Sequence, residues 1–319
     1  MQAYRITAPA SAPQLCEVPI PSPERGQLRV DIRACGLNFA DLLMIKGTYQ
    51  DTPQPPFTLG MEPAGVVTAV GEGVKGFAVG DRVMIYGGQG GLAEHGVFDS
   101  VRAVHLPSAM NFDDAAAFQI AYGTSHLALD YRARLQSGET LLVTGAAGGV
   151  GLTAVEIGKL MGARVIAQAR GADKLEAARN AGADHLIDAD SGDLREQLLD
   201  LGGVDVVYDA VGGDVFKAAF RACRPEGRLL TIGFASGEVP QIPANHLLVK
   251  NLSVLGLYIG GLVKTRPDVV RESLQTLLGW YAEGRLKPHI SHILPLESVE
   301  KGLDLLRRRA STGKVVIRT

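Results

Sequence analysis

The chain has 319 residues, which at about 150 residues per domain points to two domains. Its 32 basic and 34 acidic side chains leave a net charge of −2, so no global positive field draws it to nucleic acid or an anionic membrane. A hydrophobic share of 46% with 21% charged residues excludes long disorder. Glycine is abundant, 39 residues without a collagen period, so the excess serves turns and close backbone approaches. Three scattered cysteines, Cys16, Cys35 and Cys223, make neither a disulfide framework nor a zinc cluster and favour a reducing compartment. No apolar run approaches the roughly 20 residues of a membrane span, and the N-terminus lacks a signal-peptide layout. The expected location is cytoplasmic.

Residues 1–110 carry short β-branched runs, such as 28–33, 64–70 and 82–86, broken by Gly and Pro. This alternation predicts a small, mostly β, barrel-like domain with one short helix near 38–46. From about 111 the rhythm changes. Strands are expected at 141–143, 164–167, 185–187, 205–208, 228–232 and 252–257, with helices at 151–161, 173–181, 193–201 and 214–223 between them. Strands alternating with helices predict a doubly wound parallel sheet, in an α/β fold. An amphipathic helix is expected at 267–284, with Thr265 and Asp268 as a capping box around Pro267. A last helix near 297–310 precedes a strand at 314–318 that rejoins the first domain.

The strongest motif runs from Leu141 to Gly151, an apolar strand entering Gly145-Ala-Ala-Gly-Gly-Val-Gly151 and then a helix. It reads as G-x-G-x-x-G with Ala146 at the first glycine. Gly148 lets backbone approach a pyrophosphate, and Gly151 lets the helix pack on the strand. Ala147, Gly148, Gly149 and Val150 are the loop's candidate cofactor contacts. The bland alternative is an ordinary tight turn between strand and helix. At the end of the second strand no carboxylate stands ready for ribose hydroxyls. Arg170 and Lys174 stand there instead and can pair with a 2′-phosphate, which favours NADPH. Their alternative role is that of solvated surface charges.

Several segments together resemble the medium-chain dehydrogenase/reductase superfamily, in its zinc-independent quinone oxidoreductase branch that includes zeta-crystallin. They are Gly36-Leu-Asn-Phe-Ala-Asp41, Gly47-Thr-Tyr49, Gly60-Met-Glu-Pro-Ala-Gly65, Val70-Gly-Glu-Gly-Val74, Val79-Gly-Asp-Arg-Val83, Ala121-Tyr-Gly-Thr124 and the glycine loop. The resemblance implies a GroES-like β-barrel domain at 1–110, completed by 290–319, and a Rossmann domain at 111–289. It also implies that Asn38 and Met61 stand where zinc-dependent relatives carry ligands, so no zinc is expected. Cys35 then reads as a small core residue and His95 as structural. By the same resemblance Tyr49 is a catalytic candidate, either as hydrogen-bond and proton donor or as a contact of the nicotinamide end. Asn38 either orients cofactor or substrate or caps the short helix after it, and Asp41 holds structure. Thr124, Gly233, Phe234, Leu257 and Tyr258 are candidate cofactor contacts on loops at strand ends. The tyrosine that some quinone reductases set against the adenosine phosphate is absent from 187–189. Arg307, Arg308 and Arg309 read as a solvated helix face.

The function these residues imply is NADPH-dependent hydride transfer to a quinone or an α,β-unsaturated carbonyl. The competing readings are an enoyl-thioester reductase and a low-turnover cofactor-binding structural or RNA-associated protein. The partner is a small-molecule substrate, with no membrane and no broad nucleic-acid affinity. The apolar strand at 252–257, expected at an edge of the sheet, points to a homodimer.

Overall fold

Alternation in the sequence becomes a sandwich of faces. In the computed structural model, which describes residues 1–9 and 11–319, the chain forms two compact units. One is Met1–Ile120 with Pro288–Thr319; the other is Ala121–Lys287. The first begins with β1 (Gln2–Ile6), β2 (Gln14–Glu17) and β3 (Gln27–Gly36). Over the first six residues of β3 every second side chain is buried: Leu28, Val30 and Ile32. That period of two places one face on the core. Helix α1 (Phe39–Ile45) follows, then β4 (Phe57–Thr58), β5 (Glu62–Val70), β6 (Arg82–Ile85), β7 (His95–Asp99) and β8 (Ala103–His105). Strand β3 pairs antiparallel with both β5 and β7, and Val67, Val83, Ile85 and Phe98 join its buried face in one core. Helix α2 (Phe112–Ala116) starts at Asn111, whose side chain accepts the amide of Asp114.

The second unit is built on a parallel sheet. After α3 (Gln119–His126) come β9 (Thr140–Thr144), α4 (Gly149–Leu160), β10 (Arg164–Ala169), α5 (Ala172–Asn180), β11 (His185–Asp188) and α6 (Leu194–Asp200). Then come β12 (Val204–Asp209), α7 (Gly213–Ala222), β13 (Cys223–Thr231), α8 (Ala244–Lys250) and β14 (Ser253–Gly256). All five residues of β9 are buried, as expected of a strand covered on both faces. The strand order is β11-β10-β9-β12-β13-β14. The chain therefore builds outward from β9 in one direction, then restarts beside it with β12. That reversal is the switch point at which such sheets bind ligands. Strand β14 is an edge. Gly151 is required for close packing: a Cβ there would lie 2.3 Å from the Gly145 carbonyl oxygen.

Helices α9 (Ile259–Thr265) and α10 (Pro267–Ala282) correct one expectation. Thr265 does not cap α10. It is the last residue of α9, and its hydroxyl donates back to the Gly261 carbonyl at 2.9 Å. Arg266 takes the cap position instead, and no side chain bonds there. A threonine already inside one helix has its hydroxyl committed to the preceding turn.

The last segment returns to the first sheet through β15 (Ile290–Pro295), α11 (Val299–Arg307) and β16 (Lys314–Arg318). Strand β16 lies antiparallel to β3 and parallel to β15. Among the described residues no helix is long and apolar enough to cross a membrane.

Candidate functional site

Parallel register lines up the strand ends of the second unit. Gln168 of β10 pairs with Thr144 of β9, Thr144 with Asp209 of β12, Asp209 with Thr231 of β13, and Thr231 with Gly256 of β14. Beyond this row the candidates follow: the glycine loop after Thr144, Arg170 after β10, Gly233 and Phe234 after β13, Leu257 and Tyr258 after β14. They all sit at one end of the sheet. Asp209 ties the row across the switch point. Its buried carboxylate accepts the Thr144 hydroxyl and the amides of Val211 and Gly212, at 3.2 and 2.9 Å. Burial pushes this acid up from its ordinary range against those three donors.

The glycine loop leaves backbone donors open. Gly145 turns the chain at φ +61°, and Gly148 is the N-cap of α4, with no side-chain cap. A Cβ on Gly148 would meet only the Gly145 carbonyl oxygen, at 3.4 Å, so the protein does not fill the space outside the loop. Gly148 is exposed, Gly149 and Val150 half-buried, and Ala147 buried, so Ala147 can act only through its backbone. A twelve-residue helix with free first-turn amides suits an anionic group. Behind the loop, the Ser125 hydroxyl donates to the Val150 carbonyl at 2.9 Å and meets Thr153 and Tyr208. Thr124, next to Ser125 on α3, is buried at 8% exposure. Phe234 is exposed and lies against Gly212, whose Cβ would come within 3.2 Å of its ring.

Arg170 is exposed and Lys174 half-buried in the first turn of α5. A carboxylate does reach the end of β10, but from the neighbouring strand: Asp190, beyond β11, pairs with the Arg170 Nε at 3.1 Å.

In the first unit, three polar side chains meet in the core. Lys314 of β16 is 5% exposed, and Glu62 of β5 1%. The Lys314 ammonium donates to the Leu37 carbonyl at 2.9 Å, to Asn38 Oδ1 at 2.8 Å and to Glu62 Oε1. Asn38 Nδ2 donates to the same Glu62 oxygen at 2.9 Å, and Glu62 Oε2 accepts the Ile120 amide at 3.0 Å. Of its two expected roles, Asn38 takes the position of the helix cap. It stands at the N-cap of α1, but its amide is drawn into the ion pair. Asp41, fully buried, accepts the Asn38 amide at 2.8 Å and that of Gly60 at 3.3 Å. Burial outweighs these donors and raises its pKa to about 6. Tyr49 lies elsewhere, on the loop after α1, where its carbonyl accepts both the amide and the hydroxyl of Thr52. Its phenol and Asp51 face Tyr86; burial first, then these two groups, hold the Tyr86 phenol well above its ordinary pKa. Cys35 is fully buried. Among the described residues, no three His, Cys, Asp or Glu side chains are placed to hold a metal ion.

Comparison with known proteins places this geometry. Residues 24–108 match the family model described as alcohol dehydrogenase GroES-like domain, and 149–279 the one described as zinc-binding dehydrogenase. A quinone oxidoreductase-like protein 2 homolog from Nematostella vectensis is 43% identical over 92% of this chain and 82% of its own length. The chain belongs to the medium-chain dehydrogenase/reductase family, in its quinone oxidoreductase branch. Among solved members, the quinone oxidoreductase of Thermus thermophilus, known also in complex with NADPH, has 33% identity and a TM-score of 0.88 over all of both chains. That of Escherichia coli, complexed with NADPH, has 29% identity and a TM-score of 0.90 over 100% of this chain and 99% of its own.

Sequence reading of this reductase-family chain missed Asp209, Asp190 and the Glu62–Lys314 pair. The signal for two of them was present, a charge at the end of a short apolar run: Asp209 after Val206-Val-Tyr208 and Lys314 before Val315-Val-Ile317. Removing one partner of a buried pair strands the other charge. Lys314→Met should therefore cost about 3–5 kcal/mol of stability in urea unfolding. The double variant with Glu62→Gln should lose less than the sum of the single losses. A Lys314→Met loss within the roughly 0–1 kcal/mol range of surface pairs would show that the pair does not hold the unit.

Proposed function

We propose that this chain reduces quinones or α,β-unsaturated carbonyls with hydride from NADPH and without zinc. The observation that carries the reading is the switch-point site: an uncapped α4 N-terminus behind the open face of Gly148, with Arg170 one strand away. The amides of Gly149 and Val150 would hold the pyrophosphate, which Gly148, its own amide bonded to the Gly145 carbonyl, lets come close, and Arg170 and Lys174 the 2′-phosphate. Thr124, Gly233, Phe234, Leu257 and Tyr258 would line the nicotinamide half. The cofactor, when bound, supplies the hydride. The protein must then stabilise charge on the acceptor oxygen and deliver a proton. Tyr49 is our donor: a phenol is neutral at pH 7 and can donate a hydrogen bond. Asn38, its amide held by Glu62 and Lys314, leaves one lone pair of Oδ1 to orient a donor on the ligand. That commitment of Asn38, together with the thioether at Met61, supports a zinc-free reaction. Strand β14 presents an open edge, and Leu248 and Val249 on α8 are exposed at 79% and 77%. Both suit a two-fold contact with a second copy.

NADPH consumption should be seen with quinones and enones, exceed that with enoyl-CoA esters, and survive exhaustive chelation. Turnover confined to enoyl esters, or abolished by chelation, would refute the reading. Tyr49→Phe should keep the fold and lower enone turnover by about 10²–10³, the usual loss for one oxyanion donor. Quinones, being more electrophilic, should lose less. An unchanged enone rate, with a deuteride isotope effect showing rate-limiting chemistry, would remove Tyr49 as donor. Light scattering at micromolar concentration should give a dimeric mass; a monomer would refute the assembly.

A further inference from the structure

We infer that Asp190 sets how sharply this chain separates NADPH from NADH, by competing for Arg170. The inference rests on the cofactor reading above.

The placement of Asp190 is built rather than incidental. Strand β11 pairs with β10 so that Ala169 faces Asp188, and the Ala189 amide donates to the Ala169 carbonyl at 2.8 Å. Asp188 then knots the loop. Its Oδ1 accepts the Gly171 amide at 3.3 Å and the Asp190 amide at 3.1 Å, and its carbonyl accepts the Ser191 hydroxyl at 2.8 Å. These four bonds fix the backbone on both sides of the ion pair. The Asp190 carboxylate consequently lies 3.1 Å from the Arg170 guanidinium, the group that follows the second strand of the sheet.

Both side chains are about two-thirds exposed, so the pair itself is weak and opens readily. A phosphate dianion offers arginine a stronger, bidentate partner. Binding it, however, demands that Arg170 leave Asp190 or that the phosphate sit beside a carboxylate. Either course costs affinity for the phosphorylated dinucleotide alone. The unphosphorylated one makes no such demand. Asp190 is therefore the repulsive half of a specificity device whose attractive half is Arg170.

The test measures dissociation constants of NADPH and NADH by titration calorimetry on the full chain. Asp190→Asn and Asp190→Ala should each raise the preference for NADPH about two- to fivefold, with the change carried by NADPH rather than NADH. Near 1 M salt, where the Debye length falls to about 3 Å, the gain should shrink. In an Arg170→Ala background, with no guanidinium left to compete for, Asp190→Asn should move the preference less than it does in the wild type. A general structural defect would weaken both dinucleotides alike and leave their ratio intact. If Arg170→Ala collapses the preference while both Asp190 variants move it less than twofold, this inference fails and the cofactor reading stands. If NADH binds as tightly as NADPH in the wild type and in every variant, both fail.

Discussion

The first unit depends on a single buried cation. Lys314 places its ammonium in the core, and three oxygens answer it: the Leu37 carbonyl just after β3, Asn38 at the start of α1 and Glu62 at the start of β5. Each ammonium hydrogen has one acceptor, so the group has no spare donor and no second arrangement of equal quality. Glu62 is satisfied in turn by Asn38 and by the Ile120 amide. A buried ion pair of this kind adds little net stability over an apolar core, because desolvation offsets the attraction. What it does is fix register. Strand β16 can lie beside β3 in only one way if Lys314 is to meet Glu62, and with that choice the Asn38 amide is oriented as well. Further bonds from the same segment, Tyr4 to Glu300 and Arg318 to Asp113, follow that register.

The second unit achieves order by a different route. A parallel sheet brings all its strand ends to one edge, so residues far apart in sequence meet without any dedicated scaffold. Asp209 shows the cost of using that edge. The acid is held where burial disfavours its charge, and it persists because one hydroxyl and two amides of the neighbouring turns converge on it. Those bonds hold the turn after β12 against the end of β9, beside the glycine loop. The polar groups of this edge thus divide into those satisfied by the protein, such as Asp209, and those left open, such as the first amides of α4.

Much of this organisation was legible in the residues. Six strands alternating with helices gave the parallel sheet, and the strand, turn and helix around Gly145–Gly151 marked the phosphate-binding end. These are local patterns, set by periodicity and by the absence of a Cβ. What was not legible is contact between distant residues. Lys314 and Glu62 are separated by 252 positions, and nothing near either one names its partner. Asp190 was invisible for the same reason: the end of β10 lacks a carboxylate of its own, and the one beside Arg170 arrives from β11. The Thr265 cap failed because its sequence pattern is read forward, whereas Thr265 belongs to the helix behind it.

The interrupted path of the first unit also has a consequence for how the chain comes off the ribosome. Domains usually fold in the order they are made. Here the continuous unit, Ala121–Lys287, is complete before the discontinuous one, which waits for β15, α11 and β16. At about 5–20 residues per second, roughly ten to fifty seconds separate the emergence of Glu62 from that of its cation. During that interval the end of β3, Ala34–Gly36, has an open edge, and the carboxylate of Glu62 lacks the counter-charge of Lys314. Until β16 emerges, that end of the sheet stays wet, a window in which a chaperone would find it exposed.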